Sequence, residues 1–334
     1  CSFPLGGRNR YFRFLGALIT SAALAACGGG NSDPVETVAV ANRAGASLSF
    51  IDARTNSVDA TLSIPGSEPM YVVYVAKRDR LYVGDRAQNK VHIINPQTRV
   101  VEGSINVGKG VFHMWADGQG ESLWVVNDVD KTISIIKLSD NSTRTLPLEA
   151  KPHDVFLTAD GKTAFISLLT GASADKVVAY DTATLTRTAQ ADVGLDPHLF
   201  YVEAAQRLYV PNQSGSLMVF DKDLKADTSL NIPGAHGIFA GGDGRYVYVS
   251  NLPGAQLYNV ASATKTQVGP ALASSVPTPH NLVANAQQSK LFVTHSGASA
   301  NKVTVYSLGD LGTPSLSQTL TVGLNPFGLA YYQR

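Results

Sequence analysis

From residue 36 to the end, apolar positions fall in short β-branched and aromatic runs bounded by Gly, Asn, Asp and Pro. Such runs predict strands, not helices. One order recurs: a Pro-rich start, an apolar strand, a turn, a second strand ending in Asn or Asp, a third strand, a polar turn and a fourth strand. The second strands include Leu81-Tyr82-Val83-Gly84-Asp85, Leu123-Trp124-Val125-Val126-Asn127, Leu208-Tyr209-Val210-Pro211-Asn212 and Leu291-Phe292-Val293-Thr294-His295. Third strands include Lys90-Val91-His92-Ile93-Ile94 and Lys302-Val303-Thr304-Val305-Tyr306. The unit repeats about every forty residues. Four strands at that period predict an all-β propeller of antiparallel blades.

The Leu-Tyr-Val-x-Asn core and the turn Asp181-Thr182-Ala183-Thr184 resemble the YVTN-type β-propeller repeat, over nearly all of residues 36–334. Repeats begin at Pro69, near Val111, at Pro152, Pro197, near Ala235, Pro279 and Pro326. The last supplies one strand, while residues 36–65 lack a first strand. Joined, they predict a seventh blade that closes the ring and removes open sheet edges. An eight-bladed count is the weaker alternative.

The first thirty residues differ. Arg8, Arg10 and Arg13 precede an apolar run, Phe14–Leu24, that ends in Leu24-Ala25-Ala26-Cys27. This is the order of an export signal, and the run is too short to span a bilayer. Its end resembles a bacterial lipobox, which implies a signal peptide at 1–26, lipidation of Cys27 and a flexible tether within 27–35. A plain secretory signal is the other reading. The lipobox resemblance also implies the periplasmic side of the cell envelope, anchored at the outer membrane. Removing residues 1–26 would leave 24 basic against 26 acidic residues and one cysteine, so no disulfide is expected. The whole chain carries a formal net charge of +1 and no basic block, which argues against nucleic-acid partners.

Function is sought in the seven histidines. Four sit at or just after a blade start, as Pro152-His153, Pro197-His198, Ala235-His236 and Pro279-His280. His113 and Met70 take the corresponding places in two further repeats, and Phe327 in the seventh. Successive spacings are 43, 40, 45, 38, 44 and 47 residues, one blade each. First strands line the channel, so these side chains are expected to ring one mouth. Second strands return to the same face, which would add Asp85 and His295 further out, with Asn42, Asn127, Asn212 and Asn251. Only His92 falls outside. The insertions Thr170–Asp175 and Ser296–Asn301 are expected to overhang this face.

Propeller histidines also serve structurally, tying a loop to a neighbouring strand. A copied structural histidine would carry its partner in every blade, and these share no obvious carboxylate. The candidate metal ligands are therefore His113, His153, His198, His236, His280, His295, Met70 and Asp85. Imidazole suits zinc, copper, nickel and iron, while a thioether points to copper; copper is expected first, zinc second. In one reading the protein stores, delivers or senses that metal, or uses it for oxidation as a metal-dependent oxidoreductase, anchored to a membrane and serving a periplasmic protein partner. In the other it is a metal-free interaction scaffold, or a lyase- or lactonase-type enzyme using histidine as acid or base. Gly241-Gly242-Asp243-Gly244 and Asp160-Gly161-Lys162 read as hairpin turns, not phosphate loops.

Overall fold

A computed structural model describes residues 34–334. Cys27, the signal-like segment and most of the tether lie outside the described residues. The described chain holds no helix and folds into seven antiparallel sheets. Blade 1 spans residues 69–106, blade 2 111–147, blade 3 151–193, blade 4 200–231, blade 5 235–273 and blade 6 279–321. Blade 7 joins the C-terminal strand Pro326–Gln333 to Glu36–Asn42, Ser47–Asp52 and Ser57–Ser63. The closure expected from the unequal ends of the repeat is therefore present, with seven blades and not eight.

Two blades depart from the pattern of four full strands. The first strand of blade 4 is cut to Phe200–Val202, and the fourth strand of blade 5 is broken into Thr266–Gln267 and Leu272–Ala273. The middle strands carry the apolar faces, and the core lies between neighbouring blades. Trp124, Val126 and Ile133 of blade 2, for example, pack on Val155, Leu157 and Ile166 of blade 3. Outer strands such as Ser142–Pro147 are mostly exposed. The recurrent turn between third and fourth strands is set by a side chain. Asp181 Oδ1 accepts the N–H groups of Ala183 and Thr184, and Leu185 takes a positive φ of 55°. Asp52 and Asn95 do the same in their blades, a side-chain-capped turn that tolerates the left-handed residue.

One device repeats on the inner strands and positions the site. Pairing between first and second strands slips just after the blade start, so that two first-strand residues stand opposite one: Pro69 faces Asp85 but Val72 faces Val83, and Val111 faces Asn127 but Met114 faces Val125. The same slip occurs in blades 3, 5, 6 and 7. Blade 4 has no slip: His198 N donates to Pro211 O in the same register in which Phe200 faces Tyr209, so one residue stands where the other blades have two. A bulge turns side chains away from the regular pleat. Six such bulges, with His198 of blade 4, set thirteen residues at one end of the channel.

Candidate metal centre

The first bulge residues are Met70, Phe112, His153, His236, His280 and Phe327, and blade 4 has His198 alone in the corresponding place. The second are Tyr71, His113, Asp154, Gly237, Asn281 and Gly328. This register corrects one expectation: Phe112, not His113, is the counterpart of His153 and the others. His113 sits one residue further on, where blade 3 has Asp154. It still reaches the cluster, because Tyr71 stacks on it with ring centroids 3.8 Å apart and its own ring lies 5.0 Å from that of His198.

Five histidines converge. Rings of successive blades lie 4.7 Å (His153–His198), 4.2 Å (His198–His236) and 4.5 Å (His236–His280) apart, and His280 meets Phe327 at 4.3 Å. His153 Nε2 is 3.3 Å from His198 Nε2, and His236 Nε2 is 3.0 Å from His280 Nε2. One proton can bridge each pair. All five residues are at most 9% exposed. Burial, joined by neighbouring imidazoles, pushes His153, His236 and His280 well below the ordinary histidine range, and His113 is also lowered by burial. These four rings are neutral at pH 7 and available as ligands.

The expectation that the histidines share no carboxylate is overturned by two aspartates that bridge alternate blades. Asp154 stands 2.9 Å from His113 Nδ1 and 3.7 Å from His198 Nδ1. Asp196 stands 3.1 Å from His153 Nε2 and 3.8 Å from His236 Nδ1. Burial opposes the charge on Asp154, but the facing imidazoles hold its carboxyl below the usual range, and it also accepts the N–H groups of Val155 and Leu199. Each aspartate occurs in one repeat only, which is why a search for copied partners passes over them. The signal was present as neighbours in sequence, Pro152-His153-Asp154 and Asp196-Pro197-His198.

Amides complete the surround. Asn281 Nδ2 lies 2.7 Å from His280 Nδ1 and donates to Phe327 O at 3.1 Å, while Gln213 Nε2 lies 3.1 Å from His236 Nδ1. The Tyr71 hydroxyl reaches across blade 7 to Asn281 Oδ1 at 3.4 Å, and burial pushes it well above the ordinary tyrosine range. One nitrogen is left over. His113 Nε2 is buried and has no partner, although its Nδ1 is tied to a carboxylate. That carboxylate fixes the proton on Nδ1 and leaves a bare lone pair on Nε2, the arrangement that orients metal-ligating histidines. Ligand atoms of His113, His153 and His198 all lie within 4.8 Å of one another, as do those of Asp196, His198 and His236. His198 belongs to both groups.

The remaining candidates are held elsewhere. His295 is fully buried, with Nδ1 2.9 Å from Pro277 O and Nε2 2.8 Å from the Thr304 hydroxyl. Asp85 accepts the N–H groups of Glu68, Ala87 and Gln88 and lies 2.9 Å from His92 Nε2. Despite burial, that hydrogen bond holds its carboxyl below the usual range. Neither side chain joins the cluster. Met70 is fully buried at the first bulge position of blade 1. The strand-ending Asn127 and Asn42 are also turned inward, donating to Ser134 and Ser49. Both insertions leave second strands at the histidine end, as expected.

Gly237 is needed for the crowding. A Cβ there would overlap the His280 carbonyl oxygen and approach Ser250 Oγ at 2.8 Å. Gly237→Ala is expected to cost about 1–3 kcal/mol in a urea melt, the scale of overpacking. An unchanged midpoint would show that blades 5 and 6 are less tightly seated than this.

The chain is therefore a seven-bladed β-propeller with a buried histidine–aspartate cluster at one end of its channel. Comparison with solved structures agrees on the fold. The Pseudomonas aeruginosa periplasmic gluconolactonase is 17% identical with a TM-score of 0.72, over 89% of this chain and 99% of its own. Kuenenia stuttgartiensis hydrazine synthase is 14% identical with a TM-score of 0.71, over 81% and 92%. A streptogramin B lyase is 16% identical with a TM-score of 0.65, over 88% and 91%. At these identities the likeness is one of fold. No family model and no curated protein matches the sequence.

Proposed function

We propose that the cluster binds a divalent transition-metal ion, copper before zinc, and that the protein is an exported, lipid-anchored propeller that stores, delivers or senses it. The observation that carries this reading is His113 Nε2, a buried lone pair without a partner beside His153 and His198. Charge supports it as well. Two carboxylates, Asp154 and Asp196, stand among rings that burial keeps neutral, so a dication would be compensated where a cluster of protonated imidazoles would not. The separation of the His153 and His198 nitrogens, 3.3 Å, matches the edge of a tetrahedron of nitrogens about 2.0–2.1 Å from a central ion. All-imidazole donors favour copper over zinc in the ordinary affinity order of divalent ions. When bound, the ion would supply Lewis acidity; Asp154 would hold the His113 ring and its tautomer.

The experiment is metal loading of tag-free protein with copper or zinc, desalting, and bound metal measured by mass spectrometry. About one ion per chain is expected, with copper displacing zinc in competition. If neither metal is retained, the metal reading is overturned.

One observation favours a second reading. His113, His198 and Asp154 also line the channel cavity, and a neutral imidazole backed by a carboxylate can act as a general base. A lactonase-type hydrolysis, in keeping with the likeness to a gluconolactonase, would then persist in protein stripped by chelator.

A further inference from the structure

Below the histidines the channel is open. A cavity of about 540 Å³ runs from the second bulge residues to the hairpin turns at the opposite end, around Lys77, Asp117 and Glu203. Pairing with the second strands sets seven residues at one level of it. Blades 2 to 5 contribute Trp115, Phe156, Phe200 and Phe239; blades 6, 7 and 1 contribute Val283, Ala330 and Val73. The wall is therefore one-sided. Trp115 stacks on Phe156 at 4.3 Å, Phe156 meets Phe200 at 4.9 Å, and Phe200 meets Phe239 at 5.5 Å. Small side chains face this aromatic arc and leave a slot before it.

We propose that this slot binds an uncharged planar aromatic molecule, which enters from the hairpin end and stacks on the Trp115–Phe239 arc. Three features of the cavity select that class. Its volume suits a ligand of roughly 15–25 non-hydrogen atoms. Aromatic faces stack best on other flat rings. Its lining holds one cation, Lys77, against the carboxylates of Asp117, Asp154 and Glu203, so an anionic ligand meets like charge and an uncompensated desolvation cost. The closed inner end, made by Tyr71, His113, Asp154 and Asn281, gives the slot a polar floor. The aromatic arc itself includes none of the candidate metal ligands, so stacking on it is read separately from metal retention.

The test uses the purified protein and N-phenyl-1-naphthylamine, an uncharged fluorophore, beside its sulfonated analogue 1-anilinonaphthalene-8-sulfonate. Saturable binding at one molecule per chain is expected, with quenching of Trp115 and at least tenfold weaker binding of the sulfonate. Val73→Phe and Val283→Phe, made separately, fill the slot from its small side and are each expected to weaken binding at least tenfold while circular dichroism and melting stay near those of the parent. Binding unchanged in both variants, or absent from the parent, overturns the proposal. Equal binding of the sulfonate overturns the selection by charge. The titration is run on metal-free and copper-loaded protein; loss of metal retention with retained fluorophore binding would fail the metal reading alone.

Discussion

Replacing His198 by alanine is expected to abolish metal retention, and to do so more completely than any other single substitution. His198 is the one residue common to both groups of candidate ligands, and its ring touches those of His113, His153 and His236. Structural metal sites are worth about 10–16 kcal/mol in total, so one ligand among three or four accounts for about 3–4 kcal/mol, or several hundred-fold in affinity. Asp154→Asn should have a smaller effect, about 10–100-fold, because it removes the group that fixes His113 and not a donor. His295→Ala and Asp85→Asn are the controls. Both side chains spend their hydrogen bonds on their own blades and the links that lead into them, so each is expected to lose about 1–3 kcal/mol of stability and keep its metal. Isothermal titration of the four variants beside urea melts separates the outcomes. A His198→Ala protein that melts normally and still holds stoichiometric copper would place the metal elsewhere.

The placement of Asp85 and His295 shows what the sequence could and could not convey. Strand identity was legible because Leu81-Tyr82-Val83 and its counterparts satisfy a local requirement, β-branched and aromatic side chains on a buried strand. Ring closure was legible because the last repeat and the first complete each other. The bulge was not. Phe112 and His113 are neighbours in an apolar run, and only the facing of Val111 with Asn127 and of Met114 with Val125 says which one matches His153. The strand-ending residues were misplaced for a related reason: their direction depends on a partner on the third strand. Asn42 donates to Ser49, Asn127 to Ser134, and Asp85 meets His92, each seven residues on. His295 meets Thr304 nine residues on, after a longer connection. That spacing was in the sequence, and it accounts for His92, the histidine that fitted no ring. Asp154 and Asp196 went unread because repetition was the guide, and the carboxylates that organise the cluster are where the repeats differ.

The same buried cluster makes the metal-free protein sensitive to mild acid. Burial lowers the folded-state pKa of His113, His153, His236 and His280 from the ordinary 6.5. Below pH 6.5 the unfolded chain therefore binds protons that the native protein refuses, and stability falls as pH falls. The contribution is complete above 6.5 and is lost as pH drops toward the folded pKa values. Each such group adds up to about 1.4 kcal/mol per pH unit while the two states differ in its protonation, a slope that four groups together make large beside an ordinary folding stability of about 5–15 kcal/mol. Asp154 adds to this only at lower pH. Its folded pKa is held below the ordinary 3.8, so its share is intact above that value and disappears beneath it. Urea midpoints of chelator-treated protein at pH 7.5, 6.5, 5.5 and 5.0 are expected to drop steeply between the second and the last. A His153→Asn/His236→Asn protein should show about half the slope. A midpoint flat to pH 5, with loss confined to the carboxylate range, would mean that the rings take up protons in the folded state, paired with Asp154 and Asp196, and that the neutral donor set on which the metal reading depends is not the resting one.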